Sequence, residues 1–151
     1  MKSAFAFIGV TIAAVLAGAG ASHAAEIKKS DIVEALQGKG YAVQDVQPAM
    51  VAVTAGEHVV FVGLDGADAD VSYIAYLSDV ALGDGGEAFL SRFNSEVKFG
   101  RAYLDRDGDV TLQMDRNSSG GVSIRNVESD FDVFLLLISK FLADYRAQDS
   151  V

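Results

Sequence analysis

Residues 92–115, RFNSEVKFGRAYLDRDGDVTLQMD, constrain the fold more than any other stretch, because one strand register places nearly all their apolar side chains together. Pairing Leu104 with Val110, Ala102 with Leu112 and Gly100 with Met114 gathers the aliphatic residues on one face and leaves Arg101, Tyr103, Thr111 and Gln113 on the other. That register predicts a three-residue loop, Arg106-Asp107-Gly108. Such loops commonly run as a type I turn followed by a residue at positive φ, where glycine has no Cβ to clash. A two-residue loop at Asp107-Gly108 is the rival, and it mixes the two faces.

Around this hairpin the periodicity alternates between two and three to four. Ser30 is placed to cap a helix over residues 31–39, with Ile32, Val33 and Leu36 on one face and Gly38 and Gly40 ending it. Period-two runs at 41–46, 50–54, 58–64 and 71–77 predict four strands. A second helix is expected over 87–97 from Phe89, Leu90, Phe93 and Val97, with Phe99 following the same core face. Tyr73, Tyr76 and Tyr103 fall on strands where some must face outward, and a tyrosine-bearing sheet face could receive a peptide or small ligand.

The last helix, expected over 129–145 with Ser129 and Asp132 as its capping pair, carries the strongest periodic signal. Val127, Phe131, Phe134, Leu135, Ile138, Phe141, Leu142 and Tyr145 recur at intervals of three and four. Val133, Leu136 and Leu137 widen its apolar stripe beyond what one sheet face usually covers, which makes them the candidate partner-binding residues. The order α-β-β-β-β-α-β-β-α predicts an α+β fold, an antiparallel sheet with helices packed on it.

The first 24 residues read as a secretory signal. Lys2 supplies the positive end, residues 4–17 the apolar stretch, and Ser22-His23-Ala24 the small residues of a cleavage site after Ala24. The apolar stretch is too short and too rich in Gly and Ala for a membrane anchor. The expectation is therefore a signal peptide over 1–24, one domain over 25–151, and a periplasmic or secreted protein with no stable membrane anchor after cleavage. With no cysteine there is neither a lipid-attachment motif nor a disulfide, so the fold must stand on its core. Removing Lys2 leaves 11 basic against 21 acidic residues, a balance that argues against nucleic acid and anionic lipid as partners.

Chemistry-bearing constellations are scarce. His58 is the one histidine after the leader, too few for a tetrahedral zinc site without cysteine, and no G-x-S-x-G elbow offers it a nucleophile. Two acidic loops, DGADAD at 65–70 and DRDGD at 105–109, make Asp105, Asp107 and Asp109 weak candidates for a hard cation, but the glycine spacing departs from the EF-hand and turn formation already accounts for it. The glycines at 83–86 precede a helix without a Walker lysine or dinucleotide fingerprint. No catalytic residue, cofactor or metal is assigned.

An aromatic helix end running into FGRAYLDRDGDVTLQMDRN, then a Gly pair and a long C-terminal helix, resembles the YbjN family, labelled a "putative bacterial sensory transduction regulator". The resemblance runs from about Ile32 to Tyr145 and is most specific between Arg92 and Asn117. It implies a fold similar to type III secretion chaperones, with dimerisation and peptide capture as modes of action, and brings no catalytic motif. Unlike cytosolic members, this chain opens with an export signal. The reading is an exported, non-catalytic binding or regulatory module that engages a protein partner, a peptide or a second copy of itself. The alternative is a periplasmic small-ligand or cation-binding protein that uses the acidic loops.

Overall fold

The computed structural model describes residues 26–148, so the leader and its cleavage site lie outside the described residues. Helix α1 spans Lys29–Gly38, with Lys28 as its N-cap residue. Asp31, not Ser30, serves its first turn. The Asp31 carboxylate accepts the Lys28 backbone N–H at 3.0 Å, while Ser30 sits inside the helix. The helix stops where Gly40 takes φ 91°, so that the N–H groups of Gly40 and Tyr41 donate back to Gln37 and Leu36. This pairing satisfies the last carbonyls of the helix.

Strands β1 (Ala42–Gln47), β2 (Met50–Ala55), β3 (His58–Asp65) and β4 (Asp70–Leu77) form an antiparallel meander. Helix α2 (Gly86–Glu96) follows, then β5 (Gly100–Leu104), β6 (Val110–Arg116) and the long helix α3 (Ile124–Gln148). The sheet order is β1-β2-β3-β4-β6-β5. Strand β6 thus inserts beside β4 and leaves β5 on the edge, all neighbours antiparallel. The α-β-β-β-β-α-β-β-α order and the α+β class are as the sequence predicts.

The hairpin register holds residue for residue: Gly100 opposes Met114, Ala102 opposes Leu112 and Leu104 opposes Val110. Asp105 N–H donates to the Asp109 carbonyl and Gly108 N–H to the Asp105 carbonyl, closing the three-residue loop with Gly108 at φ 88°. One member of the proposed core face is corrected. Leu104 is 44% exposed, at the last position of an edge strand.

All three helices cover one face of the sheet. Val51, Val53, Val60, Val62, Tyr73 and Leu112 point into a single core with Leu36, Phe89, Phe93 and the α3 residues Phe131, Phe134 and Phe141. Burying each of these aromatic side chains is worth about 1.5–3 kcal/mol, which is what holds α3 across the sheet. The buried Tyr73 hydroxyl donates to the Val127 carbonyl at 3.1 Å, and burial raises its pKa well above the ordinary tyrosine value.

Helix α3 begins five residues earlier than expected. Ser123 and Asn126 cap it reciprocally: Ser123 Oγ accepts the Asn126 N–H at 3.3 Å, and Asn126 Oδ1 accepts the Ser123 N–H at 3.2 Å. Ser129 and Asp132 therefore lie within the helix. Asp132 instead receives the Lys39 ammonium at 2.6 Å, joining the end of α1 to α3.

Candidate partner-binding surface

The apolar stripe of α3 resolves into three different environments. Leu137 is buried at 9%, Val133 is half-buried and Leu136 is 69% exposed. Leu137 is taken up by the chain itself. A Cβ on Gly100 would stand 2.6 Å from Leu137 Cδ1, so the bare backbone of β5 is the seat into which this leucine packs. Of the three residues read as partner-binding candidates, Val133 and Leu136 retain exposed apolar surface.

A residue that the sequence reading placed in the core joins them. Phe99 does not follow the core face of α2; it is 77% exposed, at φ 71°. A bulky residue in the left-handed region costs about 1 kcal/mol or more, and an outward ring recovers almost no burial in return. Phe99 lies between the last turn of α2, which ends at an extended Val97, and the start of β5. It overhangs a cleft of about 520 Å³ lined also by Met114, Arg116, Asp130 and Val133. Leu136 continues the apolar surface one turn along α3 from Val133.

The wall of this cleft is braced by charge. Arg116, at the end of β6, makes a two-pronged contact with the Asp130 carboxylate, Nη2 to Oδ1 at 2.6 Å and Nε to Oδ2. The Asp130 carboxylate, foremost through this hydrogen bond, holds the Arg116 pKa above its ordinary value. With side-chain exposures of 34% and 15%, the pair is half-sheltered, and it fixes α3 against the sheet where the cleft opens.

The neighbouring sheet edge is closed by a side chain. The Asn94 amide, from α2, donates to the Ala102 carbonyl at 2.9 Å and accepts the Ala102 N–H at 2.8 Å. These are the groups an added strand would need at the middle of β5. The middle of β5 is therefore closed to strand addition.

The uncovered face of the sheet has its own pattern. Phe61 and Tyr76 meet edge to face, ring centroids 5.7 Å apart. Towards β5 the face turns polar: Tyr103 donates to Gln113 at 2.9 Å, and Asp115 accepts from Ser72 at 2.8 Å and pairs with Arg101 at 3.3 Å. Of the tyrosines read as sheet decoration, Tyr76 and Tyr103 face outward and Tyr73 is core.

Three carboxylates of the acidic loops are engaged by backbone N–H groups. Asp105 Oδ1 accepts the N–H groups of Asp107 and Asp109 at 2.9 and 3.0 Å, Asp65 accepts from Gly66, and Asp70 reaches the Ser118 N–H at 2.7 Å. Among the described residues no group of three or more His, Cys, Asp or Glu side chains is arranged to hold a metal ion. His58 opens β3 opposite Ala55. Gly86 has a packing reason: a Cβ there would lie 2.7 Å from the Leu82 Cβ.

The sequence matches, over residues 29–145, the model of the family YbjN, described as "Putative bacterial sensory transduction regulator". The chain belongs to the YbjN family. A solved structure described as "Crystal structure of YbjN, a putative transcription regulator from E. coli" superposes with a TM-score of 0.66 at 14% identity, covering 83% of this chain and 96% of that one. At that identity the likeness shows the fold. No curated protein sequence matches. In this YbjN-family chain no helix among the described residues is long and apolar enough to cross a membrane.

Two features of the surface escaped the sequence reading. Phe99 looks like a core aromatic because it follows a helix rich in them; its one clue is the Phe-Gly step, a glycine where the strand should begin. Asn94 sits on the polar side of α2, and nothing local marks an asparagine that reaches a strand eight residues on.

Proposed function

We propose that this YbjN-family protein is exported and acts without catalysis, as a regulatory binding module that engages a protein partner or a second copy through the flank formed by Phe99, Val133 and Leu136. One observation carries the reading. Phe99 combines an unfavourable backbone conformation with 77% exposure, so it costs stability without contributing to the core. Such a residue is better accounted for by a contact outside the chain than by the fold. Leu136, 69% exposed and one turn along α3 from Val133, adds to the exposed apolar surface.

The family description, a regulator rather than a named enzyme, supports the regulatory part of the reading. The leader motif over residues 1–24 supports export to the periplasm or medium. Light scattering of the mature chain, at roughly tens of micromolar, tests self-association. A mass above the monomer is expected for a self-partner, and Phe99→Gly with Leu136→Lys should restore the monomer. If the protein is monomeric, a photo-crosslinker at position 136 should capture a distinct periplasmic protein that the same probe at position 68 does not. A monomer with identical crosslinks from both positions would sink the reading. Recovery of the full-length chain, leader intact, in the cytoplasm would refute export.

A further inference from the structure

On the opposite flank of α3, where it meets α1, the surface opens into a groove of about 870 Å³. Its apolar floor includes Ile27, Ala35 and Ile124, and its rim carries Glu26, Asp31, Glu34 and Glu128. The one cation lining it, Lys39, is already held by both oxygens of Asp132 at 2.6 and 2.7 Å. Asp31 is engaged at the α1 N-terminus. Glu26, Glu34 and Glu128 have no ion-pair partner among the described residues.

We infer that this groove receives a basic amphipathic segment of a protein partner, its apolar side chains on the Ile27, Ala35 and Ile124 floor and its lysines or arginines against Glu34 and Glu128. The chemistry of the rim selects this occupant. The carboxylates do not converge: no group of three or more acidic, His or Cys side chains among the described residues could hold a metal ion. Negative charge spread along an apolar trough instead matches several cations spaced along a peptide. A second copy is a poor fit, because a chain with 21 acidic and 12 basic residues brings like charge to the same rim. The volume lies within the range of clefts that enclose compact ligands, about 300–1,000 Å³. This site is separate from the Phe99 flank and does not depend on it.

A synthetic peptide with leucine and lysine at helical spacing is the probe, and a scrambled peptide of equal composition the control. Titration into the ¹⁵N-labelled mature chain should shift the amides of Ala35 and Ile124, with binding that weakens as salt rises. Glu34→Gln with Glu128→Gln should weaken it about tenfold, whereas the charge-matched pair Asp68→Asn with Glu57→Gln should leave it within about twofold. Any of four results would overturn the inference: no binding at roughly 100 μM peptide, equal weakening by both double variants, equal affinity for the scrambled peptide, or shifts centred on Phe99 and Leu136. Concentration-dependent shifts of the groove amides without peptide would assign the groove to a second copy and also overturn it.

Discussion

The two flanks of α3 are opposites built on the same helix. Towards α1 the surface is concave and rimmed by carboxylates, and its lone lysine is paired with Asp132. Towards β5 it is apolar, with Phe99, Val133 and Leu136 at the surface and its one strong charge pair, Arg116 with Asp130, half-sheltered beneath. The buried residues between them, Phe131, Phe134 and Phe141, are indifferent to both. A single amphipathic helix thus borders two surfaces of different chemistry.

The largest difference between the flanks should appear when their polar supports are cut. Asn94→Ala removes two hydrogen bonds to β5 and leaves the Ala102 N–H and carbonyl unpaired, an expected loss of about 2–3 kcal/mol in urea unfolding, with faster hydrogen exchange at Ala102. Unchanged exchange there would mean the amide bonds do not guard the edge. Asp130→Asn deprives the half-sheltered Arg116 of its charge partner and should cost about 1–2 kcal/mol. If it costs no more than a surface substitution, the apolar flank is not braced in this way.

On the acidic flank the corresponding support is weaker. Lys39→Gln should cost under about 1 kcal/mol, since its partner Asp132 is half exposed and water can take the place of the lysine. Its pH dependence has a definite sign. Hydrogen bonding to Asp132 raises the Lys39 pKa on folding, so its contribution is complete below about pH 10 and is lost as pH rises through the folded value. Wild type and Lys39→Gln should therefore converge in melting temperature on the alkaline side, and a gap that persists there would contradict the assignment. The smallest effect has the opposite direction. Phe99→Gly relieves the positive-φ conformation and gives up little burial, so stability should stay level or rise by up to about 1 kcal/mol. A clear destabilisation would show that the ring supports the fold after all.

What the sequence disclosed followed the strength of its local patterns. The β5–β6 register was legible to the residue because a shift by one would turn Thr111 and Gln113 to the helix-covered face in place of Leu112. The start of α3 was not: Ser129 and Asp132 have the spacing of a cap, and only the tertiary structure shows that Ser123 and Asn126 perform it. The strand order was hidden as well, since nothing local says that β6 rather than β5 lies against β4. Val133 and Leu136 could be picked out as excess apolar surface. Leu137 could not be separated from them, because its burial depends on a missing side chain at Gly100, in another element. Phe99 stayed concealed because a phenylalanine next to a phenylalanine-rich helix reads as core until its backbone angle is known.

The side chain of Asn94 has a consequence beyond the strand it touches. A chain without disulfides relies wholly on packing to stay folded, and an open strand edge is where partly loosened molecules would begin to stack into extended intermolecular sheets. By standing in for one residue of a seventh strand, Asn94 makes β5 a poor template for such growth. The β5 edge, beside the exposed ring of Phe99, is therefore a poor starting point for polymerisation.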